Sequence, residues 1–303
     1  SHNGGVVTIG PDNNLYLVIG DLLGGTRNDT STKAQNLDES SPDGRSGILR
    51  ITQDGKPVGN GIIGKSIPLQ LYYAYGIRNS FGIDFDPVTG NLWDTENGPE
   101  YGDEINLVLP GFNSGWEQIQ GIWEPKRNKS SDTSGLILGN ELSSPKDKLE
   151  NFGGKGKYSS PEFIWKFPIG VTATKFLSSD KLGKKYHNDL FVASFNLGVI
   201  FHFDLNKDRT GLKLNGSLND KIADNNKELD DVIFAQGIGT ITDMDIGPDG
   251  YMYVLSNFMG KSTIFRIVPI QNFGPLKGIL NLPAEMLDLL DKNHIWKSFR
   301  QAN

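Results

Sequence analysis

Apolar and polar residues alternate along most of the chain between Val6 and Pro269, and clusters of Gly, Pro, Asp and Asn break the alternation. A period of two predicts β-strands with one buried face, and such clusters are typical of tight turns between strands. A strand–turn–strand pattern occurs four times, at residues 6–21, 81–98, 174–196 and 242–258. Each copy is followed by a third β-like segment, at residues 46–52, 103–109, 198–205 and 262–269. The pattern predicts an all-β fold.

The repetition also favours one all-β architecture over another. Short strands joined by turns and repeated along the chain are typical of the blades of a β-propeller. A β-sandwich, whose strands also alternate, is the competing architecture. We favour the propeller because the tripeptide Gly-Pro-Asp recurs at residues 10–12 and 247–249, each time with a Tyr in the strand that follows. Residues 1–269 would then hold about four blades.

The character of the sequence changes near its end, so we place a boundary between a propeller region, residues 1–269, and a C-terminal tail, residues 270–303. Residues 283–299 carry apolar side chains at helical spacing and begin with a Pro, which suits a first helical turn. We predict an amphipathic helix there, which docks on the propeller or on another subunit. The polar segments 24–45 and 125–160 have no strand pattern and are predicted to be long surface loops.

Composition narrows the functional classes. The 303 residues include no Cys, which excludes disulfides and thiolate metal sites. The formal net charge of −6 argues against nucleic acid as a partner and leaves small molecules and metal cations open. No apolar run approaches the roughly 18 residues that a membrane-spanning helix needs. The sequence also lacks a phosphate-binding glycine loop and the GxSxG elbow of serine hydrolases.

His2 is a candidate general base. It precedes the first predicted strand, at a junction of loop and strand where propeller loops open onto the central channel. The unperturbed pKa of histidine lies near neutrality, which suits proton transfer. The alternative is an ordinary polar residue. The other histidines, His187, His202 and His294, show no metal-ligand spacing such as HExxH, so a zinc site is not predicted.

Two further groups carry candidate chemistry. Arg78, beside Asn79 at a strand entrance, could clamp a carboxylate or a quinone oxygen, or form an ordinary surface salt bridge. An acidic stretch with Gly98-Pro99 at its centre offers carboxylate and carbonyl oxygens, which Ca²⁺ prefers. Proline fixes the turn and leaves its carbonyl free. The alternative is an acidic hairpin tip that holds no ion.

The sequence resembles a known family at this point. HNGG at residues 2–5, YGIRNSFGIDF at 75–85, ENGPEYGDEIN at 96–106 and TDMDIGPDGYMYVL at 242–255 follow one another as in the glucose/sorbosone dehydrogenases. The family includes soluble aldose sugar dehydrogenases that depend on pyrroloquinoline quinone (PQQ). The resemblance covers about residues 1–269. It implies a six-bladed β-propeller with PQQ and a sugar at the mouth of the channel, an electron acceptor as second partner, and an extracytoplasmic location.

The resemblance also implies roles for individual residues. His2 matches the base that takes the proton of the sugar C1 hydroxyl while hydride passes to the quinone. Arg78 and Asn79 match residues that bind the cofactor and stabilise its developing charge, and Thr172 resembles another cofactor-pocket position. The carbonyl oxygens of Gly98 and Pro99 match the ligands of a Ca²⁺ ion that polarises the quinone.

Two departures from the family pattern matter. The family has about two blades before the HNGG segment, so we expect a missing segment or a protein partner to complete the ring. In addition, Asn196, Thr240 and Thr242 stand where the family has cations that bind the PQQ carboxylates. Each lost charge-assisted hydrogen bond is worth roughly 1.5–3 kcal/mol. Lys175 and Arg266 are candidates to replace them.

These departures give the sequence an alternative function. A non-catalytic propeller of the same family, acting as a binding or assembly module that has lost PQQ anchoring, competes with the dehydrogenase. A propeller hydrolase or lactonase is the weaker third possibility, because the sequence shows no set of acidic or Asn ligands for its metal.

Overall fold

The computed structural model describes residues 2–22, 33–37, 41–127, 136–142 and 149–269. The described strands, in chain order, are β1 (Val7–Ile9), β2 (Leu15–Ile19), β3 (Gly47–Ile51), β4 (Tyr72–Tyr75), β5 (Ser80–Phe85), β6 (Leu92–Glu96), β7 (Asp103–Val108), β8 (Phe112–Asn113), β9 (Trp123–Arg127), β10 (Leu136–Glu141), β11 (Lys157–Tyr158), β12 (Phe163–Trp165), β13 (Val171–Phe176), β14 (Leu190–Ser194), β15 (Val199–Phe203), β16 (Ile222–Ala223), β17 (Ile233–Gln236), β18 (Thr240–Ile246), β19 (Met252–Phe258) and β20 (Lys261–Ile267).

The strands form four successive sheets and one separate hairpin. The first sheet has the order β1-β2-β3-β4, and the short strands β8 and β11 extend it in parallel. The second is β5-β6-β7-β12 with a short parallel β16 at its edge, the third is β13-β14-β15-β17, and the fourth is β18-β19-β20. β9 pairs with β10 alone. Each predicted strand–turn–strand repeat is thus an antiparallel hairpin that its third segment extends, and the all-β prediction is confirmed.

Helices among the described residues are short 3-10 turns, at Lys33–Gln35, Leu69–Leu71, Lys184–Tyr186, Gly216–Asp220 and Asn226–Leu229. No helix in this part of the chain is long and apolar enough to cross a membrane. The predicted helix at 283–299 and the tail 270–303 lie outside the described residues.

The repeated Gly-Pro-Asp tripeptide makes the same turn twice. In the first sheet Gly10 N donates to Asn14 O at 2.9 Å, and in the fourth Gly247 N donates to Tyr251 O at 2.9 Å. The left-handed position of the turn is filled by Asn13 (φ 61°) in one copy and by glycine in the other, two residue types that tolerate this conformation. The Asp of each tripeptide accepts a hydrogen bond from a Tyr hydroxyl of the next strand. The repeat seen in the sequence is therefore a repeated local structure.

Apolar side chains fill the space between neighbouring sheets. Tyr16 and Val18 of the first sheet pack with Ile83 of the second, and Trp93 of the second lies in one cluster with Phe201 of the third. The third and fourth sheets are joined by a cluster that contains Phe191, Ala193, Ile200, Ile241 and Met244. Burial of such side chains contributes roughly 25 cal/mol per Å² of apolar surface. The sheets are thus stacked face to face in chain order.

The outer faces of the first and fourth sheets are exposed. Val7 and Ile9 of β1 are 58% and 60% exposed, and Ile264 of β20 is 70% exposed. Within the described residues the sheets form an open series. The six-bladed ring and the domain boundary at residue 269 stay predictions.

Two segments predicted as surface loops contain regular structure. Residues 125–160 include most of the β9–β10 hairpin, in which Leu138 lies opposite Pro125. Its apolar residues are confined to the short run 136–138, so the polar flanks hid the strand pattern. In the segment 24–45, Gln35 is fully buried and donates to Asp21 O at 3.3 Å. The loop prediction was wrong for these parts.

Candidate functional site

The end of β2 brings His2 and Arg78 together. A Cβ on Gly20 would lie 2.2 Å from His2 O and 2.8 Å from Arg78 O, so a side chain here would push the two backbones apart. The next residue, Asp21, donates its backbone N–H to Arg78 O at 2.9 Å. Gly20 and Asp21, directly after β2, therefore bring together two predicted site residues that are distant in sequence.

Asp21 orients His2. The carboxylate oxygen Oδ1 lies 2.7 Å from His2 Nδ1, and the side chain of Asp21 is 1% exposed against 21% for His2. With Nδ1–H donating to the carboxylate, the tautomer of the ring is set and Nε2 keeps its lone pair for a substrate proton. His2 adopts a left-handed backbone conformation (φ 52°), unusual for this residue type. The geometry is that of a general base with a fixed ring orientation.

The ring of Trp116 lies between the carboxylate of Asp21 and the side chain of Arg78. Trp116 Nε1 donates to Asp21 Oδ2 at 2.9 Å. The guanidinium carbon of Arg78 lies 5.3 Å from the centroid of the Trp116 ring, within the range of a cation–π interaction. The indole ring of Trp116 therefore links Asp21 to Arg78.

Arg78 binds the turn that was predicted to hold a metal ion. Its Nη1 donates to Asn97 O at 2.7 Å and to Gly98 O at 2.9 Å, and its backbone N–H donates to Glu96 Oε1 at 2.8 Å. Burial lowers the pKa of Arg78, and the negative charges of Asp21 and Glu96 oppose that shift. Two carbonyl oxygens therefore converge on a partly buried cation at this turn.

The turn itself accepts only glycine at residue 98. A Cβ there would lie 1.8 Å from Tyr101 O. Gly98 N donates to Asp103 Oδ1 at 2.9 Å, and Asp103 Oδ2 accepts from Ile169 N at 2.8 Å and from Gly170 N at 2.7 Å. Burial raises the pKa of Asp103, and these three backbone donors counteract the shift.

Asn79 and Thr172 lie in different surroundings. Asn79 follows Arg78 directly, is buried, and its Oδ1 has no hydrogen-bond partner among the described residues. Thr172 Oγ1 lies 3.2 Å from Ile241 O and 3.4 Å from Ala193 O, and its one hydrogen can be donated to either carbonyl. The hydroxyl of Thr172 is therefore engaged with backbone carbonyls of the third and fourth sheets.

Most of the acidic stretch is not at the hairpin tip. Asp94, Glu96 and Glu104 are fully buried in the second sheet, since their positions alternate on one face of β6 and β7. Burial raises the pKa of Asp94 to about 7 and that of Glu104 to about 8, and burial together with Glu104 and Asp94 also raises the pKa of Glu96. Ser114 Oγ lies 2.8 Å from Glu96 Oε2 and 3.0 Å from Glu104 Oε1. A hydroxyl has one hydrogen to give, so one of these two carboxyls must carry a proton.

The residues named as replacements for the missing cations are paired with acidic side chains in this structure. Lys175 Nζ lies 3.2 Å from Asp245 Oδ1, and Arg266 Nη2 lies 2.8 Å from Asp249 Oδ2. Both are bound to acids of the fourth sheet. Asn196 donates through Nδ2 to Pro168 O at 3.3 Å.

His202 has metal-ligating neighbours that the sequence did not reveal. Its Nε2 lies 2.8 Å from Asp189 Oδ2 and 3.5 Å from Asp204 Oδ1. Asp189 and Asp204 are next to the paired residues Leu190 of β14 and Phe203 of β15. Lys213 Nζ lies 3.7 Å from Asp204 Oδ2.

The structure combines repeated sheets with a His–carboxylate pair and a partly buried arginine that binds the carbonyl oxygens of a turn. Comparison with known families gives the class of protein. The sequence profile described as Glucose / Sorbosone dehydrogenase matches residues 1–265. The chain therefore belongs to the glucose/sorbosone dehydrogenase family. Aldose sugar dehydrogenase YliI of Escherichia coli (strain K12) is 29% identical over 258 residues, which cover 85% of this chain and 57% of that protein.

Further relatives agree with this assignment. Quinoprotein glucose dehydrogenase B of Acinetobacter calcoaceticus is 28% identical over 199 residues, which cover 61% of this chain and 36% of that protein. The matched residues thus span 57% of the first of these curated relatives and 36% of the second. Among solved structures, the soluble aldose sugar dehydrogenase of Escherichia coli in the apo-form superposes with a TM-score of 0.59 at 21% identity, covering 87% of this chain and 63% of that one. The PQQ-bound aldose sugar dehydrogenase of Streptomyces coelicolor gives a TM-score of 0.53 at 18% identity, covering 87% and 61%. These likenesses support the fold.

The structure brings together five of the six predicted site residues, namely His2, Arg78, Asn79, Gly98 and Pro99. Sequence reasoning did not single out Asp21, and it treated Asp103 only as one member of the acidic stretch. Asp21 ends a strand of the first repeat directly after a glycine, a position that could have been noted. Nothing in the sequence indicated that Asp103 binds a segment 66 and 67 residues further along.

Proposed function

We propose that the chain carries the reacting half of a PQQ- and Ca²⁺-dependent aldose dehydrogenase that oxidises the C1 hydroxyl of a sugar. The observation that carries the proposal is the 2.7 Å contact between His2 Nδ1 and Asp21 beside the partly buried Arg78. Membership of the family and the likeness to aldose sugar dehydrogenases support it. The catalytic roles of His2, Arg78 and Asn79 are part of the proposal.

His2 would accept the proton of the C1 hydroxyl at Nε2. The carboxylate of Asp21 would stabilise the imidazolium that forms, because it already accepts the Nδ1–H. Trp116, which donates to the other carboxylate oxygen, would hold the carboxylate in place, and Gln35 binds the backbone carbonyl of the same residue. The pair therefore needs no movement for the proton transfer.

The residues at the reacting end fit the two implied groups. When bound, PQQ supplies the two-electron acceptor for the hydride of the sugar C1–H. Arg78 Nε and Asn79 Oδ1 are buried and have no hydrogen-bond partner among the described residues, so both can serve a polar ligand. The Gly98–Pro99 turn offers carbonyl oxygens, the ligands that Ca²⁺ prefers, and the buried Gly98 O already faces a cation. Thr172 is proposed as a further cofactor-pocket residue.

The proposal extends to architecture and location. The four described sheets would be blades of a six-bladed propeller, which a further segment of the chain or a protein partner completes. The exposed Val7, Ile9 and Ile264 lie on the faces that such blades would cover. By likeness to the family we place the protein outside the cytoplasm and expect a separate electron acceptor.

One observation favours a second function. Lys175 and Arg266 are engaged by Asp245 and Asp249, and no other described residue was found to replace the expected cations. PQQ carries three carboxylates that would lack these partners. A non-catalytic binding module that retains the Ca²⁺ turn is therefore the alternative.

A reconstitution experiment separates the two functions. The full-length protein is incubated with PQQ and Ca²⁺, and aldose-dependent dye reduction is measured for the wild type, His2→Ala and His187→Ala. His187 is a surface histidine paired with Asp180, so its variant controls for loss of an imidazole elsewhere. We expect His2→Ala alone to lose at least about 100-fold in rate, the usual contribution of a general base. Absence of PQQ binding by the wild type at micromolar concentration would leave the binding-module function.

A further inference from the structure

Asp103 connects the metal-binding turn to the segment that leads into Thr172. One oxygen, Oδ1, accepts from Gly98 N at 2.9 Å, and the other, Oδ2, accepts from Ile169 N at 2.8 Å and Gly170 N at 2.7 Å. The residue is 1% exposed. We propose that Asp103 is a positioning residue that fixes the Gly98–Pro99 turn against the third sheet and thereby determines Ca²⁺ affinity. The inference rests on the proposed function.

The contact sets the orientation of one peptide group. Gly98 N and Asn97 O belong to the same planar peptide unit, in which the N–H and C=O point in opposite directions. Because the N–H is held by Asp103, the C=O faces Arg78 Nη1 at 2.7 Å. The backbone has no room to compensate, since even a Cβ on Gly98 would overlap Tyr101 O. The next carbonyl, Gly98 O, is held by the same guanidinium group, since it accepts from Arg78 Nη1 at 2.9 Å.

The other oxygen of Asp103 holds the top of the third sheet. Ile169 and Gly170 accept in turn from Asn196 N at 3.0 Å and Phe195 N at 2.7 Å, so the segment before β13 is fixed on both sides. Asn97 Nδ2 adds a parallel link to Val171 O at 2.7 Å. Asp103 therefore lies between the proposed ion site and the entrance of the strand that carries Thr172.

Only a carboxylate satisfies both sides of this junction. All three partners of Asp103 are N–H donors, so each of its two oxygens must act as an acceptor. An asparagine of the same shape has one acceptor oxygen and one donor NH₂ group. In one orientation its NH₂ faces Gly98 N–H, and in the other it faces the N–H groups of Ile169 and Gly170. Asp103→Asn must therefore release one of the two segments.

Asp84 provides a matched control. It lies in β5 of the same sheet and accepts from Phe176 N of the third sheet at 2.8 Å through Oδ2. Asp84→Asn removes a buried carboxylate from the same junction between sheets, but its remaining oxygen can satisfy the one donor from the third sheet. A general effect of losing such a carboxylate would appear in both variants.

The experiment measures Ca²⁺ affinity by titration calorimetry and amide hydrogen exchange by mass spectrometry on the full-length protein, without PQQ. We expect Asp103→Asn to bind Ca²⁺ about 10- to 100-fold more weakly, the usual effect of losing an outer-shell partner of a metal site. Exchange should rise in residues 97–102 or 169–172. Asp84→Asn should keep the affinity of the wild type. If Asp103→Asn does not fold, Asp103→Glu, which keeps the charge and displaces the oxygens, should show the same loss.

The outcomes separate this inference from the proposed function. Equal Ca²⁺ affinity of the wild type and Asp103→Asn would overturn the inference and leave the proposed function standing. An equal loss in Asp84→Asn would also overturn it, because the effect would then be general to the junction. If the wild type bound no Ca²⁺, both the proposed metal site and the inference would fall.

Discussion

The buried carboxyls of the second sheet make a testable prediction about stability and pH. Burial raises the pKa of Glu104 to about 8, from an ordinary value of 4.5. Glu104 therefore carries its proton in the folded protein and loses it in the unfolded chain between these two pH values. Its contribution to stability is complete below pH 4.5 and is lost as the pH rises through about 8. One such proton makes the free energy of unfolding fall by about 1.4 kcal/mol per pH unit.

Glu104→Gln should remove this dependence. A protonated Glu104 can give its hydrogen to Ser114 Oγ, 3.0 Å away, while its second oxygen accepts from Gly121 N at 2.9 Å. A glutamine with its NH₂ group towards Ser114 offers a donor and an acceptor in the same places. Asn106 Nδ2, which donates to Glu104 Oε1 at 3.2 Å, would exchange places with its own Oδ1, which has no hydrogen-bond partner among the described residues. The variant therefore mimics the protonated acid at every pH. The variant should gain stability relative to the wild type as the pH rises from 5.5 to 7.5, by about 1.4 kcal/mol per unit.

Urea unfolding at several pH values between 5.5 and 7.5 measures the effect. Glu162→Gln, which removes a carboxylate from a partly exposed pair with Lys221, controls for the loss of one negative charge. Parallel plots of unfolding free energy against pH for the wild type and Glu104→Gln would refute the reasoning. They would mean that Glu104 is ionised in the fold and that another group supplies the hydrogen bond to Ser114.

Two further predictions concern contacts that hold the sheets and the site together. Arg209 Nε lies 2.7 Å from Asp86 Oδ2, whose side chain is fully buried, so Arg209→Ala should lower the unfolding free energy in urea by about 3 kcal/mol; an unchanged value would contradict a buried ion pair. Gly20→Ala would place a Cβ 2.2 Å from His2 O, so we expect the free energy of unfolding in urea to fall by about 1–3 kcal/mol. Dye reduction by the reconstituted protein should also be weaker. Wild-type behaviour in both assays would show that His2 and Arg78 need not approach so closely.

Much of the fold could be predicted from local sequence patterns. The recurring Gly-Pro-Asp turn and its Tyr predicted hairpins that the structure contains, because the turn and the Tyr–Asp hydrogen bond involve residues close in sequence. Period-two alternation found the first three strands of each sheet for the same reason, but not the later strands β4, β12 and β17. The β9–β10 hairpin escaped because its apolar run is short and its flanks are polar.

The site was predictable only in part, because its geometry comes from distant residues. The motif residues His2 and Arg78 could be named from the sequence. Their close approach, however, depends on Gly20, because a side chain at that position would push their backbones apart. Asp103 looked like one acid in an acidic stretch. Its partners at residues 169 and 170 are defined by the packing of the second sheet on the third, which no local pattern encodes.

The distribution of charge explains why ion binding and cofactor binding should be measured separately. On one side, the acids Asp21 and Asp103 hold His2, Arg78 and the Gly98 turn in a fixed arrangement. On the other, the cations that could meet the PQQ carboxylates are bound to acids of the fourth sheet. With this arrangement, the proposed Ca²⁺ site at the Gly98–Pro99 turn can be intact whether or not PQQ binds. Calcium affinity alone therefore cannot distinguish a dehydrogenase from a binding module of the same family, and PQQ affinity in the presence of saturating Ca²⁺ is the quantity that does.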